Sequence, residues 1–195
     1  MFKILIVCTG NICRSPIAHG LLVDRGMGLG EDWLEVRSAG TWGRRGSRAT
    51  PEAISAAAGL GVDIESHRSA PFKRDLAGWA DLIVTMTAEQ AEEVAEEAPD
   101  VRTKTFTLKE LVSILRSLPP VGAQKAARDA LIARVAQATS ARSEGHELPA
   151  DSDVSDPLGL SETVYRAVAN EIEGLVEALL KGLAGNVHGA IASEG

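Results

Sequence analysis

The chain has 195 residues, 45% hydrophobic and 24% charged, a balance that excludes collagenous, disordered and disulfide-scaffold classes and fits an ordinary soluble globular protein. A net charge of −7 argues against general binding to nucleic acid, and no apolar run approaches the roughly 18 residues of a membrane span. The apolar run at the N-terminus stops at Cys8, too early for a secretory leader, so the expected location is cytoplasmic.

Residues 3–7, Lys-Ile-Leu-Ile-Val, predict a short buried strand. A helix is expected to open at Pro16, with Ser15 as its N-cap and Ile17, Leu21 and Leu22 at helical spacing. Residues 34–38 alternate as a strand, Thr50 and Pro51 start a helix that Gly59 and Gly61 stop, and a short helix is expected over 73–79. Strands follow at 81–86 and 104–106. Thr87 with Gln90, and Thr107 with Glu110, spell capping boxes for helices over 88–97 and 108–118. Residues 123–138 predict a further helix, 139–155 a mobile polar loop, and 161–180 a long helix striped with Val164, Val168, Ile172, Leu175 and Leu179.

Strands alternating with helices imply a three-layer α/β sandwich with a central, mostly parallel four-stranded sheet and helices on both faces. The expected organisation is a single domain over 1–182, with an inserted helix and polar loop at 119–153 and a flexible tail at 183–195.

Chemistry concentrates between the first strand and the first helix, in Cys8-Thr9-Gly10-Asn11-Ile12-Cys13-Arg14. A strand that turns tightly into a helix leaves its loop N–H groups pointing into one concavity, and the helix N-terminus adds partial positive charge there. Cys8 at the floor has the helix end and Arg14 nearby, conditions that favour thiolate over thiol. Arg14 presents a planar fork for two phosphate oxygens, and Ser15 can donate to the sulfur. Gly10 and Asn11 tolerate the left-handed backbone that such a cradle needs. The two cysteines, at C-x4-C, form no disulfide framework, and zinc would need two further ligands that no nearby His or Cys supplies. Further along, residues 42–48 carry Arg44, Arg45 and Arg48 and no acid, which reads either as a solvated loop or as a contact for an acidic partner.

The run Cys-Thr-Gly-Asn-Ile-Cys-Arg-Ser-Pro resembles the phosphate-binding loop of the low-molecular-weight protein tyrosine phosphatase family. Arg37-Ser38-Ala39-Gly40-Thr41, Ser66-His67, the strand at 81–86 and Asp156-Pro157 extend the resemblance. It implies a nucleophilic Cys8 that forms a cysteinyl-phosphate, Arg14 and the loop residues Thr9 to Ser15 holding phosphate, and Asp156 as general acid and then base, with no metal or other cofactor. Asp153 is the alternative acid. By the same resemblance Asn11, Ser15, Ser38 and His67 hold the loop in shape, and Cys13 can form a protective, reversible disulfide with Cys8. His19, His146 and His188 receive no role.

The implied partner is a phosphorylated protein, with no nucleic acid or membrane, and the expected state is a monomer or weak dimer. Within the family, Ile12 is typical of tyrosine-specific members, whereas arginine-specific members carry threonine there. Residues 105–110 and Asp156-Pro157-Leu158-Gly159 look more like the arginine branch. Trp42 could supply an aromatic wall. Phosphotyrosine is therefore the expected substrate and phosphoarginine the alternative. An arsenate reductase and a non-catalytic phosphate-binding protein are the further alternatives. The helix at 123–138 is expected to pack beside the acid loop, covering the pocket or meeting a partner.

Overall fold

The computed structural model describes residues 1–27, 33–120, 128–147 and 149–184. Four strands, β1 (Phe2–Cys8), β2 (Leu34–Gly40), β3 (Leu82–Thr85) and β4 (Thr105–Thr107), form one sheet in the order β2-β1-β3-β4, parallel throughout. The helices among the described residues are α1 (Arg14–Gly26), α2 (Pro51–Gly59), α3 (Arg74–Trp79), α4 (Ala88–Glu97), α5 (Leu108–Ser117), α6 (Arg128–Ser143) and α7 (Glu162–Ala184), with a 3-10 segment at Pro99–Lys104.

Parallel strands need crossover helices, and those helices bury both faces of the sheet. The run at β1 is apolar without alternation for that reason. Phe2, Ile4, Ile6 and Cys8 point into one core with α1, α2, α5, α6 and α7, while Leu5 and Val7 point into a second core with α3 and α4. The three-layer arrangement expected from sequence is the one observed.

Local signals set several helix starts. Thr50 accepts a hydrogen bond from the Ala53 amide with Pro51 in the first turn, and both capping boxes, Thr87/Gln90 and Thr107/Glu110, are formed. Three expectations need correction. The first helix opens at Arg14, not Pro16; Cys13 is its N-cap residue with no side-chain cap, and Ser15 lies inside the first turn. Its hydroxyl is engaged elsewhere, as described below.

The second correction concerns 139–155. Helix α6 continues to Ser143, with the Thr139 hydroxyl donating to the Thr103 carbonyl at 2.6 Å and the Ser143 hydroxyl to the Thr139 carbonyl. Arg142, near the end of α6, stacks 3.6 Å over the Phe106 ring, pairs with Glu110 and donates to the Thr105 carbonyl. Val154 is fully buried. Residues 123–127, where this helix was expected to start, lie outside the described residues. The hydrogen bonds of α6 go to Asp81, Thr103, Thr105, Leu115 and Gly182, which seat it along β4, α5 and α7.

Third, α7 does not fray after 180: Leu183 and Ala184 are buried, and Gly182 sits so close to α5 that a Cβ there would lie 2.8 Å from Leu115 Cβ. The remainder of the expected tail, 185–195, lies outside the described residues. No helix among the described residues is long and apolar enough to cross a membrane.

Candidate active site

The carboxyl end of β1 delivers Cys8 to the edge of the sheet, and the chain turns through residues 9–13 into α1. The turn depends on Asn11, whose φ of 53° is the only positive value at a non-glycine position among the described residues. Asn11 is fully buried and its side chain is bonded on every side. Its Oδ1 accepts from the Ala70 amide at 2.9 Å, and its Nδ2 donates to Ser15 Oγ at 2.8 Å and Ser38 Oγ at 3.0 Å. The Asn11 carbonyl accepts from His67 Nε2 at 2.8 Å. The four residues expected to shape the loop are thus brought together.

Those bonds point hydrogen at the sulfur. Cys8 Sγ accepts from the Asn11 amide at 3.2 Å and lies 3.0 Å from Ser15 Oγ. An ionised sulfur can only accept, so with Cys8 as thiolate the Ser15 hydroxyl donates to it while accepting from Asn11. A negative sulfur accepts both bonds more strongly than a neutral one.

Gly10 does not take the left-handed conformation expected of it; Asn11 alone does. The close approach falls instead at Gly40, at the end of β2, where a Cβ would lie 2.5 Å from the Thr9 carbonyl oxygen. Three side chains without an assigned loop role in the sequence also hold the loop. Ser69 Oγ donates to the Gly10 carbonyl at 3.0 Å, Gln90 Nε2 donates to Thr9 Oγ1 at 3.0 Å, and His19 Nδ1 lies 3.4 Å from Ser38 Oγ. Gln90 was legible only as a cap residue; Ser69 and His19 carried no local signal. Burial holds His19 down at about 4, with His67 beside it, and burial also lowers His67, so both act as neutral imidazoles at neutral pH.

Arg14 is 3% exposed. Its Nη1 donates to the Val154 carbonyl at 3.1 Å and its Nη2 meets Asp156 Oδ2 at 2.5 Å, while Nε is buried with no hydrogen-bond partner among the described residues. Asp156 keeps one oxygen toward Arg14 and accepts the Leu158 amide with the other, its side chain 45% exposed. Asp153 turns away and accepts from the Ala88 amide at 2.8 Å. The acid segment is pinned again where the Val154 amide donates to the Met86 carbonyl and where Lys109 pairs with Asp151. Of the two acids weighed from sequence, Asp156 is the one at Arg14.

The Cys13 sulfur lies 3.5 Å from Tyr165 Oη and 3.6 Å from Thr50 Oγ1. Burial pushes the Cys13 thiol up, and burial raises Tyr165 to about 12. Both cysteines are free and buried. Ile12 is partly buried against the larger core. Trp42 is 74% exposed, so it is no buried anchor; its amide donates to the Thr9 carbonyl and its Nε1 to Glu93 Oε1 at 2.8 Å, tying the ring across to α4. A sulfur that accepts from a loop amide, a buried guanidinium whose Nε–H has no partner among the described residues and a carboxylate on the same guanidinium can bind an oxyanion and exchange a proton beside it.

Residues 3–118 match the family described as low molecular weight phosphotyrosine protein phosphatase. A protein-arginine-phosphatase of Geobacillus stearothermophilus is 31% identical over 182 residues, 93% of this chain and 96% of the relative. The solved structure of the YwlE arginine phosphatase from that organism superposes with a TM-score of 0.71 at 31% identity, covering 94% of this chain and 93% of the other. The low molecular weight protein-tyrosine-phosphatase Etp of Escherichia coli (strain K12) is 42% identical over 104 residues, 53% of this chain and 67% of the relative. The chain belongs to the low molecular weight phosphotyrosine protein phosphatase family.

Proposed function

We propose that the chain hydrolyses phosphotyrosine in proteins through a cysteinyl-phosphate. The observation that carries this reading is the shared cation: Arg14, beside the sulfur-bearing loop, is bonded to the carboxylate of Asp156 at 2.5 Å. The substrate phosphate enters the loop, takes bonds from its amides and from the Arg14 fork, and competes with Asp156 for that fork. The Cys8 thiolate attacks phosphorus and the P–O ester bond breaks as protonated Asp156 gives its proton to the leaving oxygen. In the second step Asp156, now a carboxylate, takes a proton from the water that attacks phosphorus. The S–P bond breaks, releasing inorganic phosphate, and Ser15 donates to the departing sulfur. Arg14 and the amides hold the phosphoryl oxygens through both steps, where charge develops.

The mouth supports an aryl ester. Ile12 offers no hydrogen-bond acceptor, and Trp42 and Leu158 are large apolar side chains exposed on the loops that flank the concavity, 74% and 55% respectively. A phosphoguanidinium instead brings N–H donors that need acceptors. Phosphoarginine hydrolysis is the second reading, favoured by one observation: the Geobacillus arginine phosphatase aligns over 182 residues of this chain, whereas the Etp match spans 104. Turnover of matched phosphotyrosine and phosphoarginine peptides by wild type and Ile12→Thr separates the two. Preference for phosphotyrosine, weakened by the substitution, is expected; wild-type preference for phosphoarginine selects the second reading, and no turnover of either, or turnover that survives Cys8→Ser, removes both.

Redox protection is proposed for Cys8 and Cys13: peroxide oxidises the Cys8 thiolate to sulfenic acid, and the Cys13 thiol condenses with it, losing water and forming a disulfide. Support comes from their place on one loop, both as free thiols. Thiol-reversible inactivation with a Cys8–Cys13 linkage by mass is expected; irreversible loss without the linkage excludes it. A nucleophile of this kind suits a reducing cytoplasm, the proposed location.

A further inference from the structure

The loop after β2 circles the phosphate site, bonded to it at both ends. The Thr41 and Trp42 amides donate to the carbonyls of Cys8 and Thr9, and the Thr50 amide donates to the Ile12 carbonyl, at 2.9–3.0 Å. Between these anchors stand Arg44, Arg45 and Arg48, all exposed. The Gly46 amide donates to the Ser69 carbonyl and the Ser69 amide to the Ser47 carbonyl, so the middle of the loop is stitched to the segment that carries Arg68, a fourth exposed arginine. Ser69 in turn holds Gly10. None of the four arginines joins an ion pair among the described residues, whereas Arg14, Arg25, Arg37, Arg74, Arg102, Arg128, Arg142 and Arg166 all do.

In a chain of net charge −7, four exposed arginines without an ion pair among the described residues, gathered on the two segments that wrap the phosphate loop, make a directed field rather than an average one. Arg44 and Arg48 each stand two residues from an amide bonded to the loop, at most about 7 Å of chain and so within one Debye length at physiological salt. A phosphate seated in the loop takes its direct bonds from Arg14 and the amides, and the rim adds only a weak, screened attraction to it. Cations outside the concavity act on what extends beyond the phosphorylated side chain, the flanking residues of a peptide.

We infer that the rim of Arg44, Arg45, Arg48 and Arg68 selects phosphorylated segments flanked by acidic residues. This rests on the phosphatase reading above. Each exposed pair contributes little, so several together are expected to raise kcat/KM about tenfold for an acidic over a neutral flank, mainly through association and more at low salt.

The test uses the full chain, a small aryl phosphate without flanks, and peptides carrying whichever phosphorylated side chain the chain turns over, flanked by Asp/Glu, by Ser/Gly or by Lys. The expected order is acidic, neutral, basic, with the spread shrinking as salt rises. The triple variant Arg44→Ser/Arg45→Ser/Arg48→Ser should lose most of the spread while keeping aryl phosphate turnover within about twofold, because a surface pair is worth little to a substrate that does not reach it. Equal rates for the three peptides with wild type, or a spread that survives in the triple variant, overturns the inference. Absence of aryl phosphate turnover in wild type instead overturns the phosphatase reading, and the rim's role with it.

Discussion

In the proposed reaction the phosphate loop and the acid segment do complementary halves of the work, and they are built in opposite ways. The loop is short in sequence: seven residues, Cys8 to Arg14, run from the end of a strand to the start of a helix, and their backbone is held by one buried asparagine and its partners. The acid segment has no regular structure from Asp151 to Asp156 and reaches the loop from 142 positions away, held by single bonds to Met86, Ala88 and Lys109 and by two to Arg14. A local device is specified by neighbours in the chain; a remote one is only as well placed as the contacts that catch it. Arg14 is where the two meet.

Breaking both at once should have the largest effect. Arg14→Lys keeps a charge but loses the planar fork, so phosphate positioning and the hold on Asp156 fail together; a fall in kcat/KM on the order of 10³-fold is expected for aryl phosphates. Steady-state rates within tenfold of wild type would show that the shared cation is not central.

Removing only the acid should separate the halves. Asp156→Asn leaves the loop intact and is expected to lower kcat about 10²–10³-fold for leaving groups that need a proton and far less for good ones. Uniform, minor losses across a leaving-group series would take Asp156 out of the proton transfers.

The loop's supports predict a pH dependence of stability. His19 is held near 4 by burial, and His67 is lowered as well, while in the unfolded chain both take protons near pH 6.5. Below about pH 6.5 the unfolded state therefore binds protons that the folded state does not, and stability falls until His19 itself titrates in the fold. The loss from His19 should approach about 3 kcal/mol near pH 4, read from denaturant melts across that window. His19→Gln should flatten the slope; an unchanged slope would assign it to other groups.

The smallest effect should come from loosening the acid segment. Asp153→Ala removes one bond to Ala88 and leaves the Val154 and Arg14 contacts. A loss of a few-fold in kcat is expected, confined to poor leaving groups, because a misplaced acid costs rate where protonation matters. An equal loss with good leaving groups would place the effect in the loop instead.

Much of the loop could be read in the sequence because its physics is contiguous. An unbroken apolar run specifies a strand buried on both faces, and Asn11 accepts a left-handed turn that most residues resist. The capping boxes at Thr87 and Thr107 were legible for the same reason, since cap and partner lie three residues apart. Where contacts span the chain, reading failed. Residues 139–155 looked like loop because their polarity gave no hint that Phe106 and Glu110 would seat Arg142, whereas of the two roles read for Ser15 the short-range one, at the Cys8 sulfur, is observed and the cap is not.

By itself, then, the chain's order of residues determined the strand, the turn, the proposed nucleophile and the cation, all carried on one short segment in which the Asn11 amide and Ser15 reach the Cys8 sulfur. Tertiary structure alone decided that Asp156 rather than Asp153 faces Arg14, that Ser69, Gln90 and His19 hold the loop, and that Gly40 must lack a side chain. Those choices depend on which distant groups share the space beyond the carboxyl ends of the strands, and only the packing of both faces of the sheet sets that.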